Sequence, residues 1–316
     1  MSLRHQILDL SRQTQIGALS LFLSATLDRA IASGHYPDQD QLGLINDAIV
    51  SYTRSYREQS GRGVVALGMS GGVDSALVAA IFSRAGFHVV GVTMPIHQDP
   101  VETSRGMEAC AAIGIEHRHI DLSELFDRTV DAQSLLDSGL SQPGDDRGVR
   151  VRHGNIRARL RMITLYNLAS ALGGMVASTD NLSELGAGFW TLHGDVGDFS
   201  PIQSLLKSWE VPSLARRNGV PESIVAATPT DGLGIAAGDE AQLGCSYLEW
   251  DLMVYALASG LDVPDSERRV RSAVTARMSA TWYKRRNPVM VPHPLEDRYA
   301  MIDSIDRKHF VPQQFQ

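Results

Sequence analysis

Apolar residues at Leu42, Ile45, Ile49, Tyr52 and Tyr56 alternate spacings of three and four, the stripe that an amphipathic helix buries along one side. The segment from about Ile16 to Ile31 carries a similar pattern. Both read as scaffold or dimer contacts without chemistry of their own. The period then changes. Val64-Val65-Ala66-Leu67 is a continuous apolar run, as a strand covered on both faces requires, and Ala76 to Ala80 is helical in pattern. His88 to Met94 reads as a second strand through Val89, Val90 and Val92, Thr103 to Ile113 as a helix, Glu116 to Ile120 as a third strand, and Leu122 to Leu136 as another helix. Asn155 to Leu172 predicts a long helix ended by Gly173-Gly174, and Met175 to Ser178 a further strand. Strands alternating with helices predict an α/β fold with a doubly wound parallel sheet. Ligands bind beyond the carboxyl ends of such strands, so the segments after Leu67 and after Ser178 are expected to share one crevice.

Two stretches interrupt the periodicity. Ser138 to Gly148 and Thr228 to Gly238 are rich in glycine with proline, aspartate or alanine, and read as mobile segments. Without repeats or linkers, the chain is expected to form one structural domain with helical additions at both ends: a catalytic part over residues 61–294, helices within 1–60 packed on its core, and a tail at 295–316. A length of 316 residues, 43% hydrophobic and 21% charged, fits a globular protein with a sizeable core. No apolar run approaches the ~20 residues of a membrane span, and the N-terminus lacks the pattern of a secretory signal. A cytoplasmic location without a membrane partner is the expectation.

Charge changes the picture in one place. The net charge of −7 argues against general binding to nucleic acid, yet Arg147 to Thr179 contains no acidic residue, and six arginines lie between Arg147 and Arg161. That local excess predicts a phosphate site. The two cysteines, Cys110 and Cys245, lack disulfide-framework or metal spacing, and read as small core residues. His97 and His193 have no metal partners at recognisable spacing.

The most chemical stretch is Ser70-Gly71-Gly72-Val73-Asp74-Ser75, between the first strand and the following helix. Adjacent glycines let backbone N–H groups close on an anion, and the helix directs its positive end to the same place. It is neither a Walker loop nor a dinucleotide fingerprint. Asp74, at the helix start beside a phosphate, is suited to holding Mg²⁺.

S-G-G-x-D-S resembles the phosphate loop of the N-type ATP pyrophosphatases, which retain the released pyrophosphate there. Beyond it, the sequence from about Leu42 to Pro294 resembles the NAD synthetases of the ammonia-dependent type. Gly154-Asn155-Ile156-Arg157-Ala158-Arg159-Leu160-Arg161-Met162 is similar to their G-N-x-x-A-R-x-R-M helix. Ser178-Thr179 with Glu184 is similar to G-T-x-x-x-x-E, and Gly188-Phe189-Trp190-Thr191 with Gly194-Asp195 to G-[FY]-x-T…G-D. Pro201 with Lys207, Pro229-Thr230 with Leu233, and Asp239-Glu240 with Leu243-Gly244 and Tyr247 complete the ordered set.

The resemblance implies an adenine nucleotide alpha-hydrolase-like sheet and a ligase that amidates deamido-NAD with ammonia, ATP serving as co-substrate and Mg²⁺ as cofactor. ATP contacts are implied for Gly68, Ser70, Gly71, Gly72, Val73, Asp74, Ser75, Gln98, Thr179, Lys207 and Thr230. Asp74 and Glu184 are the implied Mg²⁺ ligands, with Asp74 and Lys207 the catalytic pair. Deamido-NAD contacts are implied for Asn155, Arg159, Asp198, Tyr283 and Lys284. On a helix, Asn155, Arg159, Met162 and Tyr166 lie near one direction while Arg157 and Arg161 point another way, so the first set is expected to face ligand. The sequence departs from the family at Ser178, usually Gly, at Leu192, where a substrate-binding Lys is usual, and at Tyr283, where His is usual. A homodimer is also implied, and a separate glutaminase remains compatible as an ammonia source. The competing readings are another N-type ATP pyrophosphatase, such as a GMP synthetase or a tRNA-thiolating enzyme, and a non-catalytic adenine-nucleotide-binding module. The arginine helix argues against the first, and the trio Asp74, Glu184 and Lys207 against the second.

Overall fold

A computed structural model of the chain describes residues 1–12, 18–140, 147–227, 238–288, 298–309 and 311. Helices α1 (Leu3–Arg12), α2 (Leu21–Ala32) and α3 (Gln39–Ser60) precede the first strand. Then come β1 (Val64–Gly68), α4 (Val73–Arg84), β2 (His88–Thr93), α5 (Pro100–Ile113), β3 (Glu116–His119), α6 (Ser123–Ser134), α7 (Arg147–Ala171) and β4 (Met175–Val176). The remaining chain is helical, with α8 (Leu182–Ala187), α9 (Glu210–Arg217), α10 (Glu222–Val225), α11 (Asp239–Leu243), α12 (Tyr247–Ala258), α13 (Arg268–Thr281) and α14 (Arg298–His309).

The strands form one parallel sheet in the order β3-β2-β1-β4. β1 lies inside it with its middle residues buried, which is why its sequence is an unbroken apolar run. One face packs Leu67, Leu77, Ile81 and Phe82 with α9, α12 and the N-terminal helices; the other packs Ala66 and Val90 with Ile156, Leu160 and Leu165 of α7. Ile7, Leu23, Leu27 and Tyr36 share the first of these cores. Strand order reverses at β1: β2 and β3 extend to one side and β4 lies on the other. The crevice at such a reversal is where open α/β sheets take ligands. The loops after β1 and β4 both open into it.

One boundary differs from expectation. α7 begins at Arg147, eight residues before Asn155, and thus includes Gly148 from the stretch read as flexible. Arginines sustain a helix well even without an apolar stripe, so the periodic pattern starts later than the helix does. At the C-terminal end, Arg298–His309 is helical, as the helical addition expected there requires. The start of the helix expected from Ile16, the middle of the first mobile segment and nearly all of the second lie outside the described residues. Among the described residues no helix is long and apolar enough to cross a membrane.

Candidate active site

The loop between β1 and α4 is held by its own side chains. Ser70 Oγ accepts from Gly72 N at 3.2 Å and lies 3.1 Å from Ser75 Oγ, which donates to Gly72 O at 3.0 Å. Gly71 has φ +84°, and a Cβ there would fall 2.2 Å from the backbone oxygen of Glu102. Only glycine suits that position. Gly72 is the N-cap of α4 and brings no side chain to cap it, so the first-turn N–H groups remain directed at the crevice for an anion.

Charged groups gather opposite. Lys207, 7% exposed, forms an ion pair through Nζ with Asp74 Oδ2. Asn181 donates to Asp74 Oδ1 at 2.9 Å while its own oxygen accepts Glu184 N at 3.0 Å. The residue that caps α8 therefore also orients the loop aspartate. Burial, then the nearby Asp74, push the Glu184 carboxyl well above the usual carboxylate range. Burial works against the Lys207 ammonium, but Asp74 and Glu184 outweigh it and hold its pKa above the ordinary lysine value. Further along the wall, burial followed by Asp195 and Asp74 lifts Asp180 to about 8.

The backbone that carries Lys207 is fixed from beneath. Lys207 N donates to Ser183 Oγ at 3.1 Å, Ser183 Oγ donates to Asp251 Oδ1 at 2.6 Å, and Ser208 N donates to Asp251 Oδ2 at 3.2 Å. Asp251 is 3% exposed. Facing donors at both oxygens, it satisfies both only as an acceptor on each side. Tyr36 reaches the same cluster, its hydroxyl 3.2 Å from Ser208 Oγ, and Trp209 Nε1 donates to Pro37 O at 2.8 Å.

These groups border a cavity of about 430 Å³. The loop residues Gly68, Ser70, Gly71, Gly72, Val73, Asp74 and Ser75 form one side of it, and Thr179, Glu184, Lys207 and Lys284 another. Gln98 and Asn155 line it as well. Lys284 Nζ donates to Gly188 O at 2.8 Å and to Trp190 O, so its proton donors already serve the wall. The structure does not bring Arg159, Asp198 or Tyr283 to this cavity. Arg159 Nε donates to Leu192 O at 3.3 Å on the exposed side of α7. Asp198 accepts from Tyr166 Oη and Val176 N, each at 2.9 Å, and Tyr283 is 44% exposed. Thr230 lies outside the described residues.

The facing expected for the α7 arginines is therefore corrected. Val151, Asn155, Met162 and Leu165 line the cavity, the stripe of a helix at spacings near four and three. Arg161, one residue from Met162, reaches around to join them: its Nε donates to Met94 O at 3.1 Å and an η nitrogen donates to Gln98 Oε1 at 2.7 Å. Arg159 falls past the stripe's other edge. Sequence reasoning also left Asp180, Asp195, Asp239 and Arg277 without a site role, although all line the cavity. For Asp195 and Asp239 the matched motifs carried the signal; for Arg277 no motif did.

Among the described residues no cluster of three or more His, Cys, Asp and Glu is placed to hold a metal. Two carboxylates, Asp74 and Glu184, the first close enough to raise the pKa of the second, do line the cavity beside an anion-binding loop. That donor set fits Mg²⁺, which is commonly held by one or two carboxylates together with substrate phosphates.

With loop, acids and lysine in one crevice of a parallel sheet, the comparisons with known proteins agree. The NAD synthase family model matches residues 45–288, and the chain belongs to that family. It is 33% identical over 238 residues to an NH(3)-dependent NAD(+) synthetase of Alkaliphilus metalliredigens, covering 73% of this chain and 92% of the relative. The solved NH3-dependent NAD synthetase of Campylobacter jejuni superposes with a TM-score of 0.62 at 26% identity, over 81% of this chain and 99% of that one. The NMN synthetase of Francisella tularensis shares the fold, with a TM-score of 0.67 at 24% identity, over 81% of this chain and 99% of that one.

Proposed function

We propose that the protein amidates deamido-NAD with ammonia at the expense of ATP, forming NAD, AMP and pyrophosphate. The observation that carries this reading is the convergence of the S-G-G-x-D-S loop, Lys207 and Glu184 on one cavity. A carboxylate does not exchange oxygen for nitrogen at neutral pH, because oxide is a poor leaving group. Activation by ATP removes that obstacle. The nicotinate carboxylate attacks the α-phosphorus and displaces pyrophosphate; ammonia then attacks the acyl carbon of the adenylate and expels AMP.

The chain's part is alignment and charge. The loop N–H groups and Lys207 receive charge that grows on the departing pyrophosphate. Before substrate enters, Lys207 is held in place by Asp74, which keeps its ammonium charged despite burial. Asp74 and Glu184 would hold Mg²⁺ together with substrate phosphate, where it would supply charge neutralisation on the polyphosphate. Gln98 and Arg161 border the end of the cavity that suits the adenosine. Free ammonia is the nitrogen donor in this reading, because neither cysteine is placed as a glutaminase nucleophile. Burial pushes the Cys245 thiol up to about 12 and that of Cys110 up to about 11, whereas such a nucleophile needs a thiolate. A second copy of the chain is the partner proposed. Its support is the exposed side of α7, where Ile163 and Tyr166 follow Arg159 and are 66% and 40% exposed.

The test is product identity. Purified protein given deamido-NAD, ammonium, Mg²⁺ and ATP should yield AMP and pyrophosphate in equal amounts with NAD. Coupled ADP and phosphate would overturn the adenylate route, and turnover of xanthosine monophosphate instead would overturn the substrate. Ammonium-free glutamine should give no sustained NAD formation.

A further inference from the structure

Helix α13 carries a cation into the cavity that neither the motifs nor the reading above employs. Arg277 Nε donates to Ala187 O at 2.9 Å, and its guanidinium carbon lies 4.9 Å from the centre of the Phe189 ring. Gly188, with φ +59°, ends α8, and a Cβ there would fall 2.3 Å from Thr281 Cβ. Helix α13 therefore rests directly on the end of α8, and the direction of Arg277 is set by both. With Nε engaged, the two η nitrogens have neither a hydrogen bond nor an ion pair among the described residues. The side chain lines the cavity.

Its electrostatics point the same way. Burial lowers the pKa of Arg277; Tyr247 and Asp239 act against that shift without cancelling it, and Arg147 adds repulsion. A half-buried guanidinium with free donors and too little counter-charge is a site for an oxyanion. Its neighbours indicate which one. Tyr247 Oη donates to Asp239 Oδ2 at 3.1 Å, and the Tyr247 ring centre is 5.8 Å from Lys207 Nζ. Arg277 thus shares Tyr247 and Asp239 as neighbours with Lys207.

We propose that Arg277 is a second cationic contact, besides Lys207, for the polyphosphate of ATP, presenting its η nitrogens to the oxygens that leave as pyrophosphate. This rests on the ATP-cleaving reading above. Two parallel N–H donors match such oxygens better than a single ammonium does.

Isothermal titration with magnesium pyrophosphate and, separately, with AMP tests it on the wild type, Arg277→Met and Arg277→Lys. Methionine retains an apolar stem over Phe189 and removes the charge. The methionine variant should bind pyrophosphate about tenfold or more weakly, the loss of one charge-assisted contact, and AMP within about twofold of the wild type. In steady state its KM for ATP should rise while that for deamido-NAD holds, and lysine should restore part of the loss. Unchanged pyrophosphate affinity would overturn the proposal, as would a rise confined to the KM for deamido-NAD. Should the methionine variant fail to fold, the lysine variant decides by the same two titrations. A wild type that binds pyrophosphate yet forms no NAD would sink the amidation reading and leave the Arg277 contact standing.

Discussion

The two sides of the cavity are built in opposite ways. The phosphate loop is eight consecutive residues, Gly68 to Ser75, closed by hydrogen bonds among Ser70, Gly72 and Ser75. It meets an anion mainly with backbone N–H groups and the end of α4, which cost little to hold in place. The facing wall takes Glu184 from α8, Lys207 from an irregular segment, Asp239 from α11 and Arg277 from α13. Burial opposes the charged forms of Glu184, Lys207 and Arg277 alike, so the charge this side carries depends on the whole fold. Asp74 is where they meet, a loop residue paired with a wall lysine. Binding capacity is local in this molecule, and the means to stabilise a changing charge is not.

The most severe test of that division is Lys207→Met. It should lower kcat by about 10²- to 10³-fold, the usual effect of deleting a preorganised charge contact, measured as the initial rate of NAD formation. A loss below about tenfold would mean that the wall is not the catalytic half. On the other side, Gly71→Ala forces a Cβ to within 2.2 Å of Glu102 O at φ +84°. We expect kcat/KM for ATP to fall about tenfold and urea denaturation to register a loss of about 1–3 kcal/mol, with the KM for deamido-NAD little changed. A comparable rise in both KM values would show that the loop is not a self-contained unit.

The mildest effect concerns pH. Asp180 is raised from the ordinary carboxylate value of 3.8 to about 8, first by burial and then by Asp195 and Asp74. A folded pKa above the unfolded one means that stability is fully present below the unfolded value and is lost as pH rises through the folded value. Asp180→Asn, permanently neutral, should therefore melt increasingly above the wild type between about pH 5 and about pH 9, by about 2–4 °C at the alkaline end. Parallel melting curves across that range would place Asp180 outside the charged wall.

The same division explains what could be read from the sequence. The loop and the inner strands are short-range features, so pattern and spacing expose them. The face of α7 was misjudged because Arg161 reaches the cavity from beside the buried stripe through a long side chain and an anchor at Met94 O, a contact 67 positions away. Arg277 is one of four arginines in α13, Arg268, Arg269, Arg271 and Arg277. Nothing in their order shows which one the packing of α13 on Gly188 turns inward. Asp251 is likewise silent in sequence, one of two acids in α12 with Glu249, and its meaning depends on Ser183 and Ser208.

The support beneath Lys207 also sets a timetable. Lys207 meets Asp74 across 133 positions, Ser183 meets Asp251 across 68, and Tyr36 meets Ser208 across 172. A chain emerging from the ribosome N-terminus first therefore cannot position the lysine until α12, which carries Asp251, has been made and has docked. Charge stabilisation on this wall is therefore a late product of the fold, whereas the hydrogen bonds that close the facing loop span at most five positions.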